Sequence, residues 1–186
     1  MNQLISSVRL RTFVMRQILS LILLLFFTLF VRDAICLDAA PQIGKLAPAF
    51  TLNDVNGKKV TLSEYKGKVI LINFWATFCG PCKDEMPSLN NLFLAFKKDG
   101  LIVLAISTDD SEKPVQSFVK KMSIVFPVLI DKNQEVYFDK YGVLGLPTSF
   151  IVDRDGIIRA KILGDRPWDT PDMKEKIRIM LLSNNR

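Results

Sequence analysis

Histidine is absent from this sequence of 186 residues, and cysteine occurs only three times, at Cys36, Cys79 and Cys82. Without histidine there can be no Cys2His2 zinc site, no histidine-ligated haem and no Ser-His or Cys-His catalytic arrangement. Three cysteines also cannot supply the four thiolates of a structural zinc site. We therefore expect no metal site and no cofactor, and a redox role for the C-x-x-C pair formed by Cys79 and Cys82.

The charge pattern gives no sign of a nucleic-acid partner. The net charge is +6, but four of the 25 basic residues and one of the 19 acidic residues lie in residues 1–36, so the rest of the chain carries only +3. Basic and acidic residues alternate there without a long run of one sign. We predict no nucleic-acid binding.

Residues 1–36 have the composition of a targeting segment. Arg9, Arg11 and Arg16 precede an apolar run at residues 18–31, which only one serine and one threonine interrupt. This run of 14 residues is shorter than the roughly 20 that a membrane-spanning helix needs. A cleaved signal peptide is therefore the first interpretation, and an uncleaved membrane anchor is the second, because no clean cleavage site follows. Either predicts export, to the periplasm or the outer face of the cytoplasmic membrane, and Cys36 would leave with a signal peptide.

The rest of the chain, residues 43–186, reads as one α/β domain. Val69–Trp75 is nearly all apolar, which is typical of a strand buried on both faces, and apolar residues at spacings of three and four predict a helix over residues 81–98. Turn signals at residues 53–57 and 153–156 predict two hairpins, so the sheet is mixed. Further strands are predicted at residues 49–52, 59–62, 101–106, 127–131, 148–152 and 157–162, and further helical segments around residues 115–122, 135–141 and 170–181.

The C-x-x-C pair lies where the buried strand gives way to the helix. Cys79 is placed at the helix amino terminus, where unpaired N–H groups and the helix dipole stabilise a thiolate, and Cys82 lies about one turn further on. We interpret Cys79 as the attacking thiol and Cys82 as the resolving thiol of a dithiol/disulfide cycle. A purely structural disulfide, or a pair of buried small hydrophobic residues, is the alternative, but a disulfide across so short a loop restricts the unfolded chain little.

Residues 73–87 (NFWATFCGPCKDEMP), with residues 145–148 (GLPT) far downstream, resemble the thioredoxin superfamily, and most closely its exported TlpA/ResA-like branch with a redoxin or AhpC/TSA-like domain. The likeness covers roughly residues 43–182. It implies a thioredoxin-like fold, with a central mixed sheet flanked by helices and an N-terminal β-hairpin extension. It also implies a thiol-disulfide oxidoreductase that works as a monomer.

The resemblance assigns roles to residues around the cysteines. Pro147 matches the family's cis-proline, which leaves the backbone of Leu146 free to pair with a substrate. Trp75 matches a tryptophan beside the active site, although by composition it could equally be a core residue. Pro87 matches a proline inside the helix. The implied substrate-binding residues are Trp75, Gly80, Pro81, Leu146 and Pro147.

Two departures from the family pattern affect the expected chemistry. Asn73 stands where cytosolic thioredoxins have a buried aspartate, and it cannot ionise. Glu85, three residues beyond Cys82, is instead predicted to be the general base, the alternative being a solvated helix charge like its neighbours Lys83 and Asp84. Phe78 stands where the family usually has tryptophan, which leaves an apolar rim without an indole N–H group.

The Gly-Pro dipeptide between the cysteines resembles that of strongly reducing members, so we expect a reductase of protein disulfides supplied by a membrane electron donor. Similar exported proteins keep the haem-binding cysteines of apocytochrome c reduced. One alternative is a thiol peroxidase, because residues 48–52 and 67–69 also resemble the peroxiredoxin neighbourhood. The other is a membrane-tethered copper chaperone, although such proteins add a histidine that this chain lacks.

Overall fold

The computed structural model describes residues 15–26 and 41–183. Residues 15–26 are helical and belong to the predicted targeting segment, the rest of which lies outside the described residues. Among the described residues, no helix is both long enough and apolar enough to cross a membrane. Residues 41–183 belong to a second compact unit, which carries Cys79 and Cys82.

A mixed sheet of seven strands is the centre of this second unit. In chain order the strands are β1 Thr51–Asp54, β2 Lys59–Thr61, β3 Val69–Trp75, β4 Leu101–Ser107, β5 Val128–Ile130, β6 Thr148–Val152 and β7 Ile158–Leu163. Their order across the sheet is β2-β1-β5-β4-β3-β6-β7. The pairs β3/β4 and β4/β5 are parallel, and every other pair is antiparallel. The predicted N-terminal hairpin therefore extends the central sheet through β1 and β5.

Three α-helices connect and close the sheet: α1 Gly80–Phe96, α2 Glu112–Lys121 and α3 Pro171–Leu182. Helix α1 continues through Pro87, which local propensity alone would treat as its end. Helix α3 begins as predicted, with the Thr170 hydroxyl accepting from the backbone N–H of Met173 at 3.3 Å. A 3-10 turn at Leu62–Tyr65 and a π-helical segment at Glu135–Lys140 complete the set.

Apolar residues bury both faces of the sheet. One face packs against α1, α2 and α3, and its core includes Leu71, Leu89 and Ile177. The other face packs under the 3-10 turn and the π-helical segment, and its core includes Phe74 and Tyr141. Because helical layers cover both faces, β3 and β6 are buried along their whole length, which is why the sequence of β3 is a nearly continuous rather than an alternating apolar run.

The first hairpin differs from its predicted boundaries. Strand β1 covers residues 51–54 instead of 49–52, because Asp54 ends the strand and organises the turn. Its carboxylate accepts from the N–H groups of Asn56 and Lys58, each at 2.8 Å. Leu62, predicted to lie in the second strand, instead begins the 3-10 turn.

Strand β7 begins one residue later than predicted, and the reason is again an aspartate. The carboxylate of Asp153 accepts from the N–H groups of Asp155 and Ile157, each at 2.9 Å, so Ile157 belongs to the turn. Ile157 also forms an isolated antiparallel bridge with Leu46. The helical segment predicted at residues 135–141 is present, but its hydrogen bonds follow the π pattern.

Two leucines of α1 provide a test of this packing. Leu89 is fully buried, whereas Leu94 is 45% exposed. We expect Leu89→Ala to lower the free energy of unfolding by about 2–5 kcal/mol, because it removes buried methyl groups and leaves a cavity. Urea denaturation measures the change, and Leu94→Ala is the control, expected to cost far less. Equal losses in the two variants would contradict the packing of α1 against the sheet.

Candidate active site

Cys79 and Cys82 are joined by a disulfide at the point where the chain enters α1. Cys79 is the N-cap residue of the helix, with extended backbone angles, and its sulfur accepts from the backbone N–H of Cys82 at 3.2 Å. Pro81 occupies the first turn, where its lack of an N–H group does no harm. The end of β3 and the beginning of α1 thus place one sulfur against the positive end of the helix dipole.

The two cysteines differ in accessibility. Cys79 is half-buried, whereas Cys82 is fully buried in the core beneath α1. Gly80 and Pro81 between them are exposed. A partner molecule can therefore reach the sulfur of Cys79, while Cys82 faces inward.

The loop before Cys79 is held by Asp109, a residue that the sequence did not single out. The buried carboxylate of Asp109 accepts from the backbone N–H of Thr77 at 2.9 Å and also from the Thr77 hydroxyl. Ser107, the last residue of β4, donates its hydroxyl to the same carboxylate at 2.7 Å. Its position in the sequence could have identified Asp109, because it follows the carboxyl end of a buried strand. Parallel strands place site residues at that end.

Glu85 lies one turn beyond Cys82 on the same buried face of α1, and only 3% of it is exposed. It is therefore not a solvated helix charge, which was the alternative to its predicted role as general base. Its neighbours do differ from it, since Asp84 is exposed and Lys83 is half-buried.

Three donors surround the Glu85 carboxylate. Asn73 Nδ2 donates to Oε1 at 2.8 Å, and Trp168 Nε1 and the backbone N–H of Arg166 donate to Oε2 at 2.8 and 3.3 Å. Burial raises the pKa of Glu85 above its ordinary value of 4.5, the three hydrogen bonds oppose that rise, and the charge of Asp165 adds to it. A buried carboxyl group with a raised pKa holds a proton more readily than an exposed one, which suits it to exchanging a proton with a neighbouring group.

Trp168 is the main residue of the site that the sequence analysis missed. It is fully buried, its indole N–H reaches Glu85, and its backbone N–H donates to the Ser88 hydroxyl at 3.0 Å. The guanidinium of Arg166 lies over its ring, 5.7 Å from the centroid. The sequence did offer a sign of its role, because the chain has only two tryptophans and this large apolar residue lies in a short polar loop before α3.

Asn73 connects Glu85 to β6, the antiparallel neighbour of β3. It lies in the middle of β3, directly across from Ser149 of β6, and its Nδ2 also donates to the Ser149 hydroxyl at 2.9 Å. Its Oδ1 is buried and has no hydrogen-bond partner within the described part of the chain. The NH2 group of the side-chain amide thus has two acceptors, whereas its oxygen has no donor among the described residues.

The peptide bond between Leu146 and Pro147 is cis. This bond lies at the same end of the sheet as the disulfide, because Thr148, the next residue, pairs with Phe74 near the end of β3. Pro147 is buried, and its carbonyl accepts from the N–H of Gly164 at 3.0 Å. Beside it is a groove of about 310 Å³. The groove is lined by Gly142, Val143, Leu144, Gly145, Leu146, Thr148, Lys161, Leu163 and Gly164.

Two aromatic residues near the cysteines have opposite environments. Trp75 is 1% exposed and packs against the ring of Phe118, with centroids 5.1 Å apart, so in this structure its ring offers no surface to a substrate. Phe78, next to the disulfide, is 74% exposed. The apolar rim predicted at this position is therefore open to solvent.

No group of three or more cysteine, aspartate or glutamate residues in the described ranges is placed to hold a metal ion. The chemical groups that the site brings together are a disulfide, a buried carboxyl group and a cis-proline loop. A mixed sheet flanked by helices, with a C-x-x-C disulfide at the head of the first helix, defines the class of thiol-disulfide oxidoreductases with a thioredoxin fold.

Comparison with known proteins agrees with this class. A family model described as the AhpC/TSA family matches residues 43–161. The thiol-disulfide oxidoreductase ResA of Bacillus thuringiensis subsp. konkukian is 43% identical over 125 residues, which cover 67% of this chain and 72% of the relative. The ResA of Bacillus subtilis is 39% identical over 121 residues, or 65% and 67% of the two chains. The chain therefore belongs to the AhpC/TSA family, and it is a thiol-disulfide oxidoreductase.

Solved structures show the same fold. The thioredoxin domain of a thiol-disulfide oxidoreductase from Bacteroides vulgatus superposes with a TM-score of 0.67 at 28% identity, covering 76% of this chain and 99% of that one. A thiol:disulfide interchange protein of the thioredoxin family from Chlorobium tepidum gives a TM-score of 0.66 at 28% identity, with the same coverage. The predicted fold class and family resemblance are thus confirmed.

The buried carboxyl group of Glu85 predicts a pH-dependent stability. Since its pKa is raised in the folded state, the folded protein keeps a proton that the unfolded chain has already released. This contribution to stability is full below the ordinary value of 4.5 and is lost as the pH rises through the raised pKa. We expect Glu85→Gln, which cannot ionise, to lose less stability over that window than the unmodified protein.

Urea midpoints at a series of pH values measure this effect. Asp84→Asn is the matched control, because Asp84 is the exposed neighbour on the same helix and its loss should leave the pH dependence in place. The same slope in Glu85→Gln as in the unmodified protein would show that Glu85 does not titrate in that window.

Proposed function

We propose that this oxidoreductase reduces disulfides of other proteins outside the cytoplasm, with Cys79 as the attacking thiol, Cys82 as the resolving thiol and Glu85 as the proton acceptor. The observation that carries the proposal is the unequal placement of the two sulfurs. Cys79 is half-buried and accepts a helix N–H, while Cys82 is fully buried one turn before Glu85.

The cycle begins with the dithiol form. The Cys79 thiolate attacks one sulfur of a substrate disulfide, whose S–S bond breaks as a mixed disulfide forms, and the released substrate thiolate takes up a proton. Cys82 then gives its proton to the Glu85 carboxylate and attacks the Cys79 sulfur. The mixed disulfide breaks, the second substrate sulfur leaves as a thiolate that takes up a proton, and two electrons have passed from the cysteine pair to the substrate.

The position of Glu85 supports its part in the second step. Cys82 and Glu85 are three residues apart on the buried face of α1, where bulk water does not supply a base. Burial raises the pKa of Glu85, so this carboxylate takes up a proton more readily than an exposed glutamate would. Asn73 cannot replace it, because an amide does not ionise.

The loop before Pro147 supports the docking of an extended substrate. The main-chain groups of Leu146 make no hydrogen bond within the part of the chain that the structure describes. They are thus available to a substrate strand beside Cys79, as β-augmentation requires. Exposed Gly80, Pro81 and Phe78 provide the rest of the contact surface.

The Gly-Pro dipeptide supports the reducing direction of electron flow, because it resembles that of strongly reducing members of the superfamily. We expect the Cys79-Cys82 pair of the full chain to titrate as a two-electron couple with a reduction potential near or below about −250 mV. Defined dithiol/disulfide buffers measure it. A value near about −120 mV would identify an oxidant of folding proteins instead, and failure to titrate would remove the redox role.

Single cysteine variants test the division of roles. Cys82→Ser should accumulate a mixed disulfide with a protein substrate, because the resolving attack is lost, whereas Cys79→Ser should form none. Non-reducing electrophoresis after incubation with an oxidised substrate shows the adduct. An adduct on Cys82 in the Cys79→Ser variant, at the wild-type rate, would reverse the assignment.

Peroxide provides the test of the alternative function. A thiol peroxidase would consume hydrogen peroxide rapidly through Cys79, whereas the proposed reductase should transfer electrons to disulfides and react with peroxide only slowly. The ratio of the two rates in the same preparation separates the functions. The disulfide between Cys79 and Cys82 favours the reductase, since it shows that the resolving partner is already within reach.

Export and a membrane electron donor complete the proposal. The basic and apolar pattern of residues 1–36 supports export, by a signal peptide or as an anchor, and the domain then begins near residue 43. By analogy with the exported branch, we propose the haem-binding cysteine pair of apocytochrome c as a substrate.

A fusion of residues 1–42 to a reporter that is active only outside the cytoplasm should be active, and replacing Arg9, Arg11 and Arg16 by glutamate should abolish that activity. An inactive native fusion would contradict export.

A further inference from the structure

The two oxygens of the Glu85 carboxylate have different partners. Oε2 accepts from the indole N–H of Trp168 and the backbone N–H of Arg166. Neither group can accept a hydrogen bond in return. A proton on Oε2 would point at a donor, so this side of the carboxylate is suited only to lone pairs.

The Oε1 side is different, because its partner has both a donor and an acceptor. Asn73 Nδ2 donates to Oε1 at 2.8 Å and to the Ser149 hydroxyl at 2.9 Å, while Asn73 Oδ1 is buried without a partner among the described residues. A half-turn of the amide about its terminal torsion exchanges these two atoms at almost no change in shape.

After that half-turn the hydrogen bonds suit a protonated Glu85. Asn73 Oδ1 would accept from a proton on Oε1 and from the hydroxyl hydrogen of Ser149, which can donate as readily as it accepts. The oxygen that is now unsatisfied would gain two donors, and the NH2 group would move to the position that has no partner among the described residues. Without the turn, a proton on Oε1 would face the N–H donor of Asn73, so the turn gives the protonated acid a hydrogen-bond acceptor that it otherwise lacks.

We propose that Asn73 and Ser149 form an amide switch that follows the protonation of Glu85. The amide donates to the carboxylate and, when turned, accepts from the carboxylic acid, while Trp168 and Arg166 confine the proton to Oε1. Asn73 and Trp168 are positioning residues in this scheme. The inference rests on the proposed function of Glu85 as proton acceptor and names the groups that let it hold the proton.

The charged and titratable groups around this carboxyl group are few. Cys82 precedes it on α1, Asp165 contributes a negative charge from the loop before α3, and the Arg166 guanidinium lies over the Trp168 ring. From β3 and β6, Asn73 and Ser149 contribute no charge. If the signal of the Asn73 amide changes with pH at the same midpoint as the Glu85 carboxyl group, the change therefore reports the protonation of Glu85.

Nuclear magnetic resonance of the full chain, oxidised and in detergent micelles, tests the switch directly. The carboxyl carbon of Glu85 and the side-chain amide of Asn73 are followed through one pH titration. We expect both signals to change with the same midpoint. A Glu85 signal that titrates while the Asn73 amide signal stays constant would overturn the proposal.

Glu85→Gln provides an independent test, because a glutamine amide can donate permanently to Asn73 Oδ1, as the protonated acid would. We expect the Asn73 amide signals of this variant to be independent of pH and to lie near the acidic limit of the unmodified protein. Signals near its alkaline limit would show that Asn73 does not turn.

Trp168→Phe removes one donor from Oε2 and keeps an aromatic ring in the core. We expect the midpoints of Glu85 and Asn73 to move together to higher pH, since the carboxylate loses a hydrogen bond. Tyr141→Phe is the matched control: it removes one aromatic hydrogen bond, from Tyr141 to the Pro48 carbonyl, on the opposite face of the sheet, and should move neither midpoint. A shift of Glu85 alone in Trp168→Phe would also overturn the switch.

The rate of disulfide reduction against pH separates this inference from the proposed function. If Glu85→Gln leaves that profile unchanged, Glu85 is not the proton acceptor and the proposed function fails in that part, whatever the amide signals show. If the profile changes but Asn73 does not follow Glu85, the proton acceptor stands and the amide switch is wrong.

Discussion

The burial of the Glu85 carboxylate is the constraint on which the active site depends. A buried carboxylate without donors would be too costly to keep, and this one takes its three donors from two separate parts of the chain: Asn73 of β3, and Trp168 and Arg166 of the loop before α3. The hydrogen bonds to this one carboxylate therefore connect α1 to β3 and to the loop before α3. The same contacts hold Glu85 one turn from Cys82 on the buried face of α1.

The unequal environment of the two cysteines follows from the junction of β3 and α1. The strand is buried on both faces and the helix packs on the sheet, so the residue that caps the helix faces outward and the residue one turn later faces the core. Asp109 holds the short loop between β3 and α1 through its hydrogen bond with Thr77. Ordinary strand-to-helix geometry thus gives one accessible and one buried sulfur, and the helix dipole favours a thiolate at the outer position.

Family membership and the site give information at different levels. The AhpC/TSA match and the ResA relatives establish a thiol-disulfide oxidoreductase, whereas the direction of electron flow and the protein substrate depend on particular residues. The proposed function rests on Gly80 and Pro81 between the cysteines, on exposed Phe78, and on Leu146, whose main chain makes no hydrogen bond among the described residues. The groove beside Pro147 is lined mainly by glycines and apolar residues, together with Lys161.

The sequence by itself determined the parts of this protein that depend on local pattern. Continuous apolar runs predicted the buried strands, the C-x-x-C motif after such a run located the disulfide, and the missing histidines excluded several kinds of site. It did not determine which polar residues are buried together. Trp168 and Ser149 are 83 and 64 residues from Glu85, and only the packing of the loop before α3 and the pairing of β6 with β3 bring them to the carboxyl group and its asparagine. The physical reason is that spacing along the chain reports neighbours within one helix or strand, whereas hydrogen-bond partners of a buried charge are selected by the tertiary structure that excludes water from it.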